Sequence, residues 1–170
     1  MKQMVMRTNK IKTTAETLLK VAGGSGQAVT ASGWTYDNNG DLFLNENLSD
    51  KYAILPVQGL AVGDTITEYH VEGAIGGTSG NASVFQCKFC KVTKGTGVTG
   101  STLIAPAMTA LSKEADYSMD EVVTLTSPEV VAADTHYYFL LKGTTANNAA
   151  CDISLAGITL YVKKTFGMSV

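Results

Sequence analysis

His136-Tyr-Tyr-Phe-Leu-Leu-Lys142 and Asp152-Ile-Ser-Leu-Ala-Gly-Ile-Thr-Leu-Tyr-Val-Lys163 are two runs rich in aromatic and β-branched residues. The connection between them begins with Gly143-Thr-Thr-Ala-Asn-Asn148, a polar stretch of turn-forming residues. Two such runs on either side of a polar link predict antiparallel strands, and Gly157 inside the second predicts a twisted, bulged strand. The closing third of the chain is therefore expected to be β-structure.

Seven more strand-like runs precede these two, at intervals of roughly ten to fifteen residues. Asn38-Asn39-Gly40-Asp41 predicts a tight type I′ hairpin between the first two of them, because its two central residues can accept a positive φ. Nine strands with loops of varied length predict an all-β fold, an antiparallel two-sheet jelly-roll sandwich. The seven runs are Trp34–Tyr36, Asp41–Asn45, Tyr52–Pro56, Thr65–Glu72, Ser83–Lys91, Ser101–Met108 and Glu121–Thr126.

Residues 1–33 differ in pattern from residues 34–170, which we predict to form the jelly-roll domain. The stretch from Thr14 to Ala22 favours a short helix that Gly23-Gly24 would end. The Gly/Ser residues that follow predict a flexible hinge. A short N-terminal arm of this kind would serve docking or oligomerisation, and the alternative is a frayed terminus.

The composition excludes several classes of protein. Charged residues make up only 16% of the chain, below the usual ~25%, which favours a surface that is buried in an assembly. A net charge of −2 argues against nucleic-acid binding, and the absence of a long apolar run argues against a membrane span. Met1–Lys10 is basic but is not followed by the apolar run of a signal peptide, so synthesis in a cytoplasm without export is expected.

Cys87-Lys-Phe-Cys90 is the one motif that resembles a metal or redox site. Zinc requires four ligands, and only three other residues could complete the set: Cys151, His70 and His136. The surrounding residues, 84–92, have the pattern of a strand, whereas thioredoxin-like chemistry places the pair at the start of a helix. Strand alternation puts Cys87 on one face with Phe85 and Phe89, and Cys90 on the other. We therefore predict buried thiols and no metal or cofactor.

Catalytic patterns are also weak. His70 and His136 fall in different predicted strands and cannot supply the histidine cluster of a cupin-type metal site. The chain has no Gly-x-Ser-x-Gly elbow. The carboxylate pairs that glycoside hydrolysis would need lie in a polar connection and read as solvated charges; they are Glu114 with Asp116 and Asp120 with Glu121. We predict no enzymatic activity.

Asp37-Asn-Asn-Gly-Asp41 resembles the opening of a calcium loop. An EF-hand would place Gly at the sixth position and Glu at the twelfth, where this chain has Leu42 and Leu48. A hairpin turn is the favoured interpretation, and an irregular calcium site near Asp37–Asp41 remains the alternative.

The tyrosines are spread over most of the predicted strands. Adjacent Tyr137 and Tyr138 must face opposite sides of their sheet, so that one packs in the core and the other faces outward. Core and cross-strand packing is the favoured role for most of the rings. Tyr36 and Tyr138 are the candidates for rings that face a ligand, such as a sugar.

A family resemblance appears in two regions of the chain. Asp134-Thr-His-Tyr-Tyr-Phe-Leu-Leu141, with the polar link and the strand from Asp152 to Val162, resembles the last two strands of small jelly-roll domains in tailed-phage virion proteins. Tyr52-Ala-Ile-Leu-Pro56 followed by Val62-Gly-Asp-Thr-Ile66 is similar to the opening of such head-decoration, head-fibre and tail-fibre domains. The resemblance covers roughly residues 50–165 and implies a structural protein without catalytic residues.

These observations predict a non-enzymatic virion structural protein of a bacteriophage, a capsid-decoration or fibre component. It would self-associate, as a homotrimer by the resemblance, and dock to a capsid or tail protein through residues 1–33. The runs Tyr137–Leu141 and Ile158–Val162 are the expected contacts between copies. The first alternative is a carbohydrate-binding tip that recognises a host surface glycan, and the second is a hydrolase or metal-dependent enzyme whose site assembles only in space.

Overall fold

A computed structural model describes residues 17–22, 27–28, 33–36, 41–94 and 101–164. These residues form β-strands, turns and loops, and none of them lies in a helix that could cross a membrane. The strands are β1 (Thr17–Ala22), β2 (Gln27–Ala28), β3 (Trp34–Tyr36), β4 (Leu42–Leu44), β5 (Lys51–Pro56), β6 (Thr65–Ile75), β7 (Ser83–Thr93), β8 (Thr102–Leu103), β9 (Leu111–Lys113), β10 (Tyr117–Val130), β11 (Thr135–Thr144) and β12 (Ile153–Lys163).

The strands form two antiparallel sheets. Sheet A has the order β10-β6-β12-β4-β3, with β1 beside the second half of β12. Sheet B has the order β2-β5-β11-β7-β8, with β9 also beside β7. From β4 to β7 the chain alternates between the sheets, and from β10 to β12 it does so again.

The pairing is that of a jelly roll. β4 pairs with β12, β5 with β11, β6 with β10, and β7 with β8 and β9. The pairs are nested along the chain, with β4 and β12 outermost and β7 and β8 innermost. This nesting places the paired strands alternately in the two sheets of a jelly roll. The predicted all-β, two-sheet jelly roll is confirmed. β3 and β4 pair antiparallel, with Tyr36 opposite Leu42, and the predicted turn residues 38–40 lie outside the described part of the chain.

Side-chain alternation builds the core between the sheets. On β11 the inward Tyr137, Phe139 and Leu141 are buried. The Phe139 ring centroid lies 4.9 Å from that of Phe89 on β7 and 5.3 Å from that of Tyr69 on β6, so rings from both sheets meet. The core therefore holds the two sheets together through aromatic packing, and the outward residues are left free of that role.

The helix expected from Thr14 to Ala22 is wrong where the structure describes it, because Thr17–Ala22 is strand β1. All six residues of β1 pair with β12, from Thr17 opposite Val162 to Ala22 opposite Gly157. A short helix is marginal on its own, and pairing with an open strand edge outweighs its weak propensity. Residues 1–16 and the hinge residues 23–26 lie outside the described part of the chain, and the division at residue 33 stays a prediction.

The strand expected over Ser101–Met108 is shorter than expected. Only Thr102–Leu103 forms strand, because Pro106 has no N–H to donate to a ladder. Ile104 and Met108 nevertheless donate backbone hydrogen bonds to Phe89 and Cys87 of β7. The segment thus covers the edge of β7 without forming a regular strand.

The expected contacts between copies, Tyr137–Leu141 and Ile158–Val162, do not lie on sheet edges. β11 lies between β5 and β7, and the Ile158–Val162 part of β12 lies between β6 and β1. One edge of sheet A is β10, and it carries Asp120 and Glu121 in its first half. Charges on an edge strand discourage pairing with a second copy. A homotrimer stays a prediction, and these two runs cannot supply its contacts by edge pairing.

Candidate functional site: the outer face of sheet B

The centre of strand β11, Tyr137–Leu141, is apolar on both of its sides, which is unusual for a sheet with one solvent-exposed face. Its inward residues are the core side chains already described. Its outward residues include Tyr138 and Leu140, and both are half-buried. The outer face of sheet B therefore has an apolar centre where polar side chains would be expected.

The strand register extends this apolar centre across the sheet. One row runs Pro56, Tyr138, Cys90, Leu103 over β5, β11, β7 and β8. Directly opposite residues in a sheet lie on the same face, so these side chains are neighbours. Leu103 is 45% exposed and Pro56 is exposed, whereas Tyr138 between them is half-buried. The row forms a shallow apolar strip with a tyrosine near its middle.

Two further rows add apolar and hydrogen-bonding groups. Ile54, Leu140 and Lys88 form the second row, and Tyr52, Lys142 and Gln86 form the third. All six are half-buried. The face therefore combines rings and aliphatic side chains with one amide and two ammonium groups, which can donate hydrogen bonds to a ligand.

The third row has a defined charge arrangement at its rim. The Nζ atom of Lys142 lies 2.9 Å from Oδ1 of Asp50 and 5.9 Å from the centroid of the Tyr52 ring. This hydrogen bond raises the pKa of Lys142 and, together with one from Thr144, lowers the pKa of Asp50. Both groups are therefore charged at neutral pH, and Lys142 is held beside the Tyr52 ring.

The thiols do not form a reactive site. Burial raises the pKa of Cys87, which lies in the core, and burial is also the main reason that the pKa of Cys90 is raised. Cys87 shares the inner face of β7 with Phe85 and Phe89, and Cys90 lies on the outer face, as predicted. All three cysteines are free and buried, and the Cys151 thiol donates to the Asn81 carbonyl at 3.3 Å. Neutral, buried thiols are poor nucleophiles and poor metal ligands.

The two candidate ligand-facing tyrosines lie on different sheets. Tyr138 is central on the outer face of sheet B. Tyr36 ends β3 at the edge of sheet A, opposite Leu42, and is 51% exposed. The structure therefore does not bring them together, and Tyr52 is the tyrosine that shares a face with Tyr138.

The outer face of sheet A has a different chemistry. It carries Glu68, His70 and Glu72 at alternate positions of β6, with Asp120 opposite Glu72 on β10. The His70 Nε2 atom lies 2.7 Å from Oε1 of Glu68, and the His70 ring lies 4.4 Å from the ring of Tyr161. The central side chains of this face, Glu68, His70 and Tyr161, thus contact one another.

The residues considered for catalysis are scattered. His70 is on the outer face of sheet A, His136 is on sheet B, and Cys87 lies in the core between them. Asp120 and Glu121 lie within β10, which corrects their placement in a polar connection. Among the described residues no three His, Cys, Asp or Glu side chains converge as a metal site would require. The calcium alternative falls on residues 37–40, outside the described part.

The structure has a cleft of about 250 Å³ at one end of the sandwich, between residues 57–62 and 131–137. His136, Asp134 and Thr135 contribute its polar lining, and Val57 and Leu60 are among its apolar residues. The core residue Tyr137 also lines it, so the cleft is distinct from the rows on the outer face of sheet B.

No protein-family model matches the sequence, and no curated protein matches it. Solved structures with a similar arrangement include the CBM36-1 domain of a multidomain xylanase from the hindgut metagenome of Trinervitermes trinervoides. That domain is 10% identical, with a TM-score of 0.49, over 90% of this chain and 99% of its own.

Two other similar structures belong to bacterial enzymes that act on polysaccharides. The C-terminal CBM6 of the laminarinase LamC from Zobellia galactanivorans is 13% identical, with a TM-score of 0.44, over 85% of this chain and 98% of its own. A carbohydrate-binding module of Cellvibrio mixtus lichenase 5A, solved with cellotriose, is 15% identical, with a TM-score of 0.37, over 86% of this chain and 97% of its own. At these identities and TM-scores, neither a family nor a ligand is assigned to this chain.

Sequence reasoning identified Tyr138 and missed most of its neighbours. Ile54, Lys88 and Gln86 join it only through pairing between distant strands. One signal was present in the sequence: five consecutive apolar residues in Tyr137–Leu141 leave no polar position for the outward side of an antiparallel strand.

Proposed function

We propose that this chain is a non-catalytic carbohydrate-binding domain that holds an extended glycan on the outer face of sheet B. The observation that carries the proposal is the row Pro56–Tyr138–Cys90–Leu103, an apolar strip across the outer face of sheet B. Pro56 and Leu103 at its ends are exposed, Tyr138 is half-buried, and Cys90 is buried. Apolar strips of this kind mark binding surfaces on soluble proteins.

The chemistry of the face suits a sugar. A tyrosine ring can pack against the C–H groups of a pyranose, and its hydroxyl can exchange hydrogen bonds with sugar hydroxyls. Tyr138 and Tyr52 lie two rows apart and provide two such rings. Gln86, Lys88 and Lys142 supply donors within the same rows. The combination of rings with nearby donors matches a ligand that has both C–H and O–H groups.

The dimensions of the face suit an extended chain. From His136 to Lys142 the face is about 20 Å long, and from β5 to β8 it is about 14 Å wide, given ordinary strand dimensions. A short oligosaccharide segment fits a strip of that length.

A binding experiment with matched tyrosine variants tests the proposal. Wild-type protein should retain at least one polysaccharide in a glycan array or in affinity electrophoresis. Tyr138→Ala should lose that binding, and Tyr138→Phe should keep most of it because the ring remains. Tyr161→Ala is the matched control, since it removes a half-buried tyrosine from the outer face of the other sheet.

Folding of each variant is checked by far-UV circular dichroism. Absence of binding to every polysaccharide by folded wild-type protein would refute the proposal. Binding that survives Tyr138→Ala and is lost in Tyr161→Ala would move the site to sheet A.

The virion role is a second proposal. Its support is the resemblance of residues 50–165 to phage jelly-roll domains and a chain with only 13 basic and 15 acidic residues. A fibre or decoration protein can also carry a glycan-binding face, so the two proposals are compatible. Native mass spectrometry tests the oligomer that this role implies: a trimer supports it, and a monomer at micromolar concentration counts against it.

A further inference from the structure

We infer that the glycan held on the outer face of sheet B carries anionic groups, carboxylate or sulfate, which bind at Lys88 and Lys142. This inference rests on the proposed function and specifies the class of its ligand. The geometry behind it is the placement of two ammonium groups on one face whose outward strand positions hold no carboxylate.

Lys88 and Lys142 occupy neighbouring rows of the same face. Lys88 lies opposite Leu140, and Lys142 lies opposite Gln86 two residues further along β11. The two lysines are therefore diagonal neighbours across β7 and β11, at about 7 Å between their Cβ atoms. Side chains of this length can direct both ammonium groups to one anionic group between them.

The charge of Lys88 is not balanced by a carboxylate of the described residues, whereas that of Lys142 is. Lys142 pairs with Asp50, whose side chain is 58% exposed at the rim. No ion pair joins Lys88 to any carboxylate of the described residues. On the described strands β5, β7, β8 and β11, no Asp or Glu occupies an outward position. An anionic ligand would supply the charge that this face lacks.

The outer face of sheet A does not suit an anionic ligand. The outer face of sheet A carries Glu68, Glu72 and Asp120, which would repel an anion. Charge complementarity thus selects both the ligand class and the sheet. The net charge of −2 adds no general attraction for anions, so binding would depend on the local pair of lysines.

The test compares three polysaccharides that differ in charge: polygalacturonate with carboxylates, dextran sulfate with sulfates, and neutral xylan. Wild-type protein should bind at least one of the acidic polymers more tightly than xylan. Raising NaCl from about 20 to 200 mM should weaken that binding, because salt screens exposed charges. The two acidic arms distinguish a carboxylate ligand from a sulfate ligand.

Lys88→Gln should weaken binding of the acidic polymer by roughly tenfold, since a hydrogen bond between charged groups is lost. Lys88→Arg should restore most of it. Lys163→Gln is the matched control, because it removes the same charge from the exposed end of β12 in sheet A.

Equal loss in Lys88→Gln and Lys163→Gln would show nonspecific attraction and overturn the inference. Binding of xylan that depends on Tyr138 and is unaffected by Lys88→Gln would also overturn it, while the proposed function would stand. Failure to bind any polysaccharide would overturn both.

Discussion

The outer faces of the two sheets are built on the same pairing pattern and carry opposite chemistries. Sheet B presents apolar rows around Tyr138 with Lys88 and Lys142 beside them. Sheet A presents carboxylates, with His70 held between Glu68 and the Tyr161 ring. Both sheets bury their inner faces in one core, so the difference between the outer faces is not required by the fold.

The difference shows that the outward positions of the strands can vary without disturbing the core. An inward residue such as Phe139 is fixed by packing against rings from both sheets. Its neighbours Tyr138 and Leu140 have no such role, because each lies on the solvent side of the sheet. Apolar residues at outward positions lower solubility without adding to the core, and the proposed glycan would cover them.

The largest effect on stability should come from a substitution in the core, and it should exceed that of a substitution on an outer face. Phe139→Ala is expected to lower the free energy of unfolding by about 3–5 kcal/mol, because it leaves a cavity between the sheets. Leu140→Ala, one residue away and outward, should cost no more than about 1.5 kcal/mol. Urea unfolding measures both. Equal losses would mean that Leu140 belongs to a buried core and that the face is covered.

A carboxylate introduced on the outer face of sheet B should give it the charge character of the outer face of sheet A. Leu140→Asp places a carboxylate directly opposite Lys88, where it would pair with the ammonium group and repel an anionic ligand. Binding of an acidic polysaccharide should fall by more than tenfold. Ser118→Asp, on the exposed outer side of β10, is the control and should leave binding unchanged. Retained binding in Leu140→Asp would contradict the assigned face.

High pH should distinguish inward from outward tyrosines. Burial raises the pKa of Tyr137 to about 12, and it raises the pKa of Tyr69 as well. A group with a raised pKa in the folded state stabilises the fold below its ordinary pKa, here 10, and loses that contribution as the pH rises through the folded value. Stability should therefore fall between about pH 10 and 12.

Phenolate absorbance recorded together with circular dichroism checks this. We expect the last tyrosines to ionise only as the β-structure is lost. Complete titration of all seven tyrosines in folded protein near pH 10 would show that the rings of Tyr137 and Tyr69 reach solvent.

The smallest effect should be at the rim of the sheet B face. Asp50→Asn removes the ion pair with Lys142, but both side chains are largely solvated, and such pairs contribute little to stability. The thermal midpoint at pH 7 should barely change. Because the pKa of Asp50 is lowered, any difference from wild type should disappear as the pH falls through that pKa. A large loss of stability would show that the pair organises the face.

Much of the fold could be predicted from the sequence because its signals are local. Alternation and turn residues located all nine expected strands, including β11 and β12, and alternation predicted that one of Tyr137 and Tyr138 faces the core and the other faces outward. The strands β2 and β9 were missed, since two or three residues are too few for a periodic pattern. β1 was predicted to be a helix. It forms a strand because it pairs with β12, which lies more than 130 residues away in the sequence.

The site could be predicted only in part because it depends on register. Pro56, Cys90 and Tyr138 lie in one row, yet they come from three strands far apart in the chain. A shift of one residue in the register of either pairing would move every side chain of one strand to the other face of the sheet, and the row would no longer exist. The sequence shows which side chains can face outward, and the pairing decides which of them meet.

Fluorine NMR of protein labelled with 3-fluorotyrosine tests the central claim most directly, because tyrosines on both outer faces report in one spectrum. Single Tyr→Phe variants assign the resonances of Tyr138, Tyr52 and Tyr161. On addition of the polysaccharide that binds, the signals of Tyr138 and Tyr52 should shift, and the signal of Tyr161 should not. A shift of Tyr161 with Tyr138 unchanged would contradict the account and place the ligand on sheet A.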